Sequence, residues 1–203
     1  MSTFPLDVVE EILRRLPVYS VLRCRCVSKT WLNLIDSPQF AKLHFNYSLK
    51  TNSNNLCLIL RKIDYYGYGK RCFYSLHFDS LNSRVVTPKE LTNPLMSSQF
   101  NTSILGSCSG LLLISNTVDE IALWNPSTGK YKKLPFLGIA RNDEVRVNFG
   151  FGYDVINNDY KVVRIVQFLG SEKGSFQSHV MVYSLKSSCG EGLMNNFLIT
   201  SSV

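Results

Sequence analysis

No apolar run in the 203-residue sequence approaches the ~18 residues that a membrane-spanning helix needs, and no charged-then-apolar leader opens it. Neither membrane insertion nor secretion is expected, so the chain reads as intracellular, in the cytoplasm, the nucleus or both. Histidine is scarce. His44, His77 and His179 fall in different expected elements, and no serine, cysteine or carboxylate motif of a hydrolase surrounds them. No catalytic residue is assigned, and the chain is read as non-enzymatic. The six cysteines, at 24, 26, 57, 72, 108 and 189, lack the paired two-residue spacing of zinc sites. They read as free thiols in a reducing compartment, with no metal and no cofactor. Gly150-Phe151-Gly152 has no third glycine, adjoining helix or acidic residue at the required offset, which excludes a dinucleotide loop.

Acidic residues are outnumbered, leaving a net charge of +7, but the excess is spread along the chain. Residues 1–50 hold seven basic and four acidic side chains, and residues 51–203 hold fifteen and eleven. Arg14-Arg15, Arg61-Lys62, Lys70-Arg71 and Lys132-Lys133 are isolated pairs rather than a phosphate-binding stripe with interleaved aromatics. A nucleic-acid partner is therefore not expected.

What the sequence does have is apolar surface near its start. Pro5 suits a first helical turn, Ser2 or Thr3 can cap it, and Val8, Val9, Ile12, Leu13 and Leu16 recur at helical spacing until Pro17. A second short helix is expected near 19–25, presenting Val21 and Leu22, and a third near 27–35, presenting Val27, Trp31, Leu34 and Ile35. Asp36-Ser37-Pro38 then starts a fourth, with a capping side chain ahead of proline and Phe40 and Leu43 following. Four such helices carry more apolar surface than they can bury together, and small modules fold marginally by themselves. Docking onto a partner would relieve both conditions.

The residues that carry this pattern resemble an F-box: Phe4-Pro5, Ile12-Leu13, Leu16-Pro17 and Cys26-Val27-Ser28-Lys29-Thr30-Trp31 stand in the family's order. Phe4 replaces the usual leucine, and Tyr19 stands where plant relatives often carry lysine. The resemblance implies docking to a Skp-type adaptor, and through it to the cullin and RING subunits of an SCF ubiquitin ligase. It assigns as adaptor contacts Phe4, Pro5, Val8, Ile12, Leu13, Leu16, Pro17, Val21, Leu22, Val27, Lys29 and Trp31. Some of these must hold the helices to each other. Trp31 and Pro5 lean toward the interface, because aromatic anchors dominate such surfaces.

Beyond a polar stretch at 50–55 the helical period gives way to short β-like runs separated by turn residues. Strands are expected near 56–61, 71–78, 111–115, 121–124, 131–134, 149–153, 160–168 and 180–185. Asn125-Pro126-Ser127-Thr128-Gly129 is composed for a tight reversal, and Asn157-Asn158-Asp159 for a hairpin turn that needs positive φ. The run from Tyr160 to Val166 is almost continuously apolar, which suggests a strand covered on both faces. Strand clusters begin near 56, 111 and 160, roughly 50 residues apart and near the length of one propeller blade.

Cys108-Ser109-Gly110-Leu111-Leu112-Leu113, Leu123-Trp124-Asn125-Pro126-Ser127-Thr128-Gly129-Lys130-Tyr131 and Gly150-Phe151-Gly152-Tyr153-Asp154 resemble the F-box-associated domain of plant F-box proteins. Their glycines, asparagines and prolines should set turns while Trp124 and the tyrosines fill the core. None is assigned to substrate. The expected fold class is α+β and multidomain: a helical F-box module at 1–48, a linker at 49–55, an all-β propeller-like region at 56–186 and an atypical tail at 187–203. About three blades fit where closed propellers need four to eight, so the β region is expected to be incomplete, with open strand edges. The implied function is a non-catalytic substrate receptor of an SCF-type ubiquitin ligase, its protein substrate unidentified. The alternatives are a competitor that binds adaptor without substrate, and a β-rich interaction protein unconnected with ubiquitin.

Overall fold

The computed structural model describes residues 5–51, 56–62, 72–78, 85–95, 101–117, 120–135, 145–169, 176–186 and 195–201. The expected caps Ser2 and Thr3, the anchor Phe4 and linker positions 52–55 lie outside them. Contacts gather the chain into two compact units, Met1–Leu91 and Thr92–Val203.

In the first unit four helices follow one another: α1 Leu6–Leu13, α2 Val18–Cys24, α3 Lys29–Ile35 and α4 Pro38–Lys50. Pro5 occupies the cap position of α1, its fixed φ of −53° leading into the helix. The helix stops short of the expected Leu16, because the residue before Pro17 is pushed out of helical geometry. Ser28 accepts a hydrogen bond from the Trp31 N–H (3.2 Å) and Ser37 one from the Phe40 N–H (3.1 Å), so each serine caps the helix that follows it. α4 runs on through Leu49 and Lys50 into the segment expected to be linker.

Val9, Leu13, Val21, Ile35 and Phe40 form the core of this helical module, with Leu16, Cys24, Trp31 and Leu34 packed around it. His44 Nε2 donates to the Leu16 carbonyl at 2.8 Å, tying α4 to the segment after α1. Three strands, β1 Cys57–Arg61, β2 Phe73–His77 and β3 Lys89–Leu91, form an antiparallel sheet in the order β1-β2-β3. These strands sort with the helices rather than with the rest of the β region, and the Lys89–Tyr19 and His77–Tyr19 contacts show where they meet α2.

The second unit holds two four-stranded antiparallel meanders. One is β4 Ser103–Cys108, β5 Leu111–Ser115, β6 Ile121–Trp124 and β7 Tyr131–Lys133; the other is β8 Val145–Asp154, β9 Asp159–Leu169, β10 Phe176–Ser184 and β11 Asn195–Ser201. Among the described residues the three sheets open at Cys57, Ser103 and Val145, roughly 45 residues apart and one blade length each. Four helices followed by three open antiparallel sheets are the helical-then-β, propeller-like fold class that the motifs imply. Three strands escaped the sequence pattern. β3 is only three residues, Lys-Glu-Leu; β4 contains Gly106 and a register shift between Ile104 and Gly106; β11 opens on two asparagines. β11 lies in the stretch expected to be a tail and pairs along β10 from Val182↔Asn195 to Phe176↔Ser201.

The turns follow their sequence chemistry. β4 and β5 are joined by Ser109 and Gly110 alone, at φ 51° and 78°, a two-residue reversal with both central residues left-handed. The Asn125 side chain accepts the N–H groups of Ser127 and Thr128, and Gly129 completes that turn at φ 72°. Between β8 and β9, Asn158 has φ 50°, and the Asp154 carboxylate accepts the N–H groups of Ile156 and Asn157 at 3.0 and 3.1 Å. The Asn157 side-chain amide, Lys161 and the Asn157 N–H together hold the Asp154 carboxyl far below the ordinary aspartate range.

Leu113, Ile121, Leu123 and Leu134 from the first meander pack with Val162 and Tyr183 from the second, and this shared core holds the two sheets together. Trp124 is buried, as its motif implies. The tyrosines are not uniformly so. Tyr183 is buried, but Tyr131 and Tyr153 are exposed, because each stands at a strand end beside a turn. Covering on both faces belongs to β6, buried along its whole length, rather than to β9. In β9 Val162, Arg164 and Val166 are buried while Val163 and Ile165 are half-buried.

β4 meets β8 closely at Gly106, where an added Cβ would lie 3.2 Å from the Phe151 Cβ. That neighbour is anchored to the β8 backbone and cannot swing aside. Gly106→Val is expected to destabilise the second unit by about 1–3 kcal/mol, read from its denaturation midpoint. An unchanged midpoint would mean that β4 and β8 can separate without cost.

Candidate docking site

At about 100° per residue, Val9 and Leu13 fall close together on α1 and face the module core. Val8 and Ile12 lie side by side along the flank of that stripe, with Pro5 near them. The core is closed by α2, α3 and α4, so this flank is left uncovered: Val8 is 43% exposed and Ile12 53%. On the opposite flank Leu6 is 48% exposed. Leu6 was not among the expected contacts, although its position three residues before Val9 extends the same apolar stripe.

The twelve expected contacts divide by what covers them. Pro5, Val8, Ile12, Pro17, Val27 and Lys29 are exposed; Leu16, Leu22 and Trp31 are half-buried; Phe4 lies outside the described residues. Leu13, 1% exposed, and Val21, 4%, are among those that hold the helices to each other: both side chains lie in the module core. Trp31 packs against that core as well, so it joins the module interior to its surface rather than standing out as a free anchor. Val27 is 60% exposed in the short link between α2 and α3. The exposed members thus lie along α1 (Pro5, Val8 and Ile12), at the start of α2 (Pro17), and at the α2–α3 link and the first residue of α3 (Val27 and Lys29).

Charge borders the apolar flank on the side of α1 away from the core. Glu11 pairs with Arg14 at 2.7 Å and with Arg15, on the face of α1 turned away from the core. The Arg15 hydrogen bond, joined by Arg14, holds the Glu11 carboxyl below its ordinary range. Arg25 pairs with Asp36 at 2.6 Å, linking the end of α2 to the end of α3. Position 19, tyrosine here, carries a cation over its ring: the Lys89 ammonium lies 4.7 Å from the ring centre.

This arrangement offers an apolar flank for association and no set of groups poised for bond chemistry among the described residues. Residues 1–43 match the F-box domain family and residues 55–194 match the F-box associated beta propeller domain family. The chain belongs to the F-box proteins that carry this associated β-propeller domain. Among its relatives from Arabidopsis thaliana, the F-box protein CPR1 is 37% identical over 196 residues, spanning 92% of this chain and 44% of the relative. The F-box protein At4g22390 is 33% identical, over 92% of this chain and 45% of its own length. The F-box/kelch-repeat protein At3g23880 is 33% identical, over 80% and 45%. The chain thus spans less than half the length of these curated relatives. No solved structure matches it. Among the described residues no helix is long and apolar enough to cross a membrane.

Proposed function

We propose that this chain docks to a Skp-type adaptor through its helical module, entering an SCF-type ubiquitin ligase as a non-catalytic subunit. The observation that carries the proposal is the Val8–Ile12 flank, left uncovered beside a core that is already filled. Apolar surface of this kind is unfavourable in water, and a partner that covers it lowers the free energy. Pro5, Val27 and Lys29 extend the contact, while Leu13 and Val21 act indirectly by holding the helices in place. Through the adaptor the chain would reach the cullin and RING subunits, in the cytoplasm or nucleus. Its β region would hold a protein substrate within reach of a charged conjugating enzyme, so that its contribution to ubiquitin transfer is proximity.

The test is co-purification. The full chain, expressed with a Skp-type adaptor carrying the only affinity tag, is expected to elute with it as a one-to-one complex on size exclusion. Separate elution of the two folded proteins would overturn the proposal.

A further inference from the structure

Tyr19, Leu22 and Arg23 of α2 line an open recess of about 480 Å³, with Lys89 of β3 also at its edge. Two of the lining side chains, Tyr19 and Leu22, are aromatic or apolar, and two, Arg23 and Lys89, are cationic. The Lys89 ammonium is held over the Tyr19 ring, and His77 meets that ring edge-on at 6.0 Å between centroids. Arg14, Arg15 and Arg25 each have a carboxylate partner in this unit. Among the described residues Arg23 and Lys89 have none, and both are exposed. Two cations lining one small recess, neither paired with a carboxylate among the described residues, repel each other. A carboxylate placed between them would be favoured by both.

We propose that this recess receives acidic side chains of the adaptor, extending the docking surface from the helices onto strand β3. The inference rests on the docking reading above and adds a residue to it, Lys89, that lies outside the F-box match. A polypeptide fits better than a nucleic acid. Only two cations converge here, without a basic stripe, and the Leu22 and Tyr19 side chains offer apolar contact to the stem of a glutamate or to its neighbour. Complementary charge of this sort speeds encounter and makes affinity depend on salt.

The decisive measurement is calorimetric titration of adaptor with the full chain at low and at physiological salt. The double reversal Arg23→Glu with Lys89→Glu is expected to weaken binding at least about tenfold at low salt and to flatten the salt dependence. The neutral pair Arg23→Met with Lys89→Met should fall between the reversal and the parent. Val8→Ala with Ile12→Ala should weaken binding while leaving the salt dependence as in the parent. Circular dichroism confirms folding of each variant. If the parent binds adaptor and the reversal binds with equal affinity and equal salt dependence, this inference falls while the docking proposal stands. If the parent does not bind adaptor at all, the docking proposal falls first. Duplex DNA that binds the parent and not the reversal would reassign the recess to nucleic acid.

Discussion

Glutamate at both Val8 and Ile12 is expected to abolish adaptor binding without unfolding the module. The two side chains are about half exposed and lie outside the core formed by Val9, Leu13, Val21, Ile35 and Phe40. Glutamate is a better helix former than either β-branched residue it replaces, so α1 should persist in the free chain. In the complex, however, two unpaired carboxylates would have to leave water for an apolar interface. That costs at least about 3 kcal/mol, or more than a hundredfold in affinity. Titration of adaptor, with far-UV circular dichroism as the control for folding, reads both quantities. Parent-like affinity in the folded variant would remove this flank from the interface.

Leu13→Ala should show the opposite pattern, acting on stability first. Leu13 is almost wholly enclosed by neighbours from the other helices, so truncation leaves a cavity among side chains that cannot all close around it. The expected loss is about 2–5 kcal/mol, a large share of the stability of a module this small. Chemical denaturation followed by helical signal should show a clear drop in the midpoint. Adaptor binding should weaken only to the extent that the helices unfold, and should recover under stabilising conditions where the Val8 and Ile12 variant does not. An unchanged midpoint would contradict the assignment of Leu13 to the core.

These two variants mark the boundary of what was legible beforehand. Leu13 and Ile12 are adjacent, both apolar, and both within the F-box pattern. Their spacing places each on the apolar stripe, yet one is buried and the other half exposed, because α2, α3 and α4 close over only part of that stripe. Trp31 illustrates the same limit, its ring resting on the core rather than projecting as a free anchor. In the β region, strands with continuous apolar runs, such as β5 and β6, were visible in the sequence. β3, β4 and β11 were not, since a short polar strand, a strand with glycine at a bulge and a strand opening on asparagines acquire their identity from the partner they pair with. β11 is extended because β10 presents it a ladder of hydrogen bonds.

By itself, the sequence determined that four helices would precede a series of β strands, that Ser37 would cap the fourth helix and Asn125–Gly129 and Asn157–Asp159 would form turns, and that the helices would be left with surplus apolar surface. These are local properties, set by the period of apolar residues, by the φ that proline imposes, and by the left-handed geometry that glycine and asparagine tolerate. Only the tertiary structure decided which apolar residues fill the core and which remain for a partner. It also brought Lys89 over Tyr19, from strand to helix, to form the rim of a recess that no local spacing encodes. Burial depends on what covers a face, and the covering elements come from elsewhere in the chain.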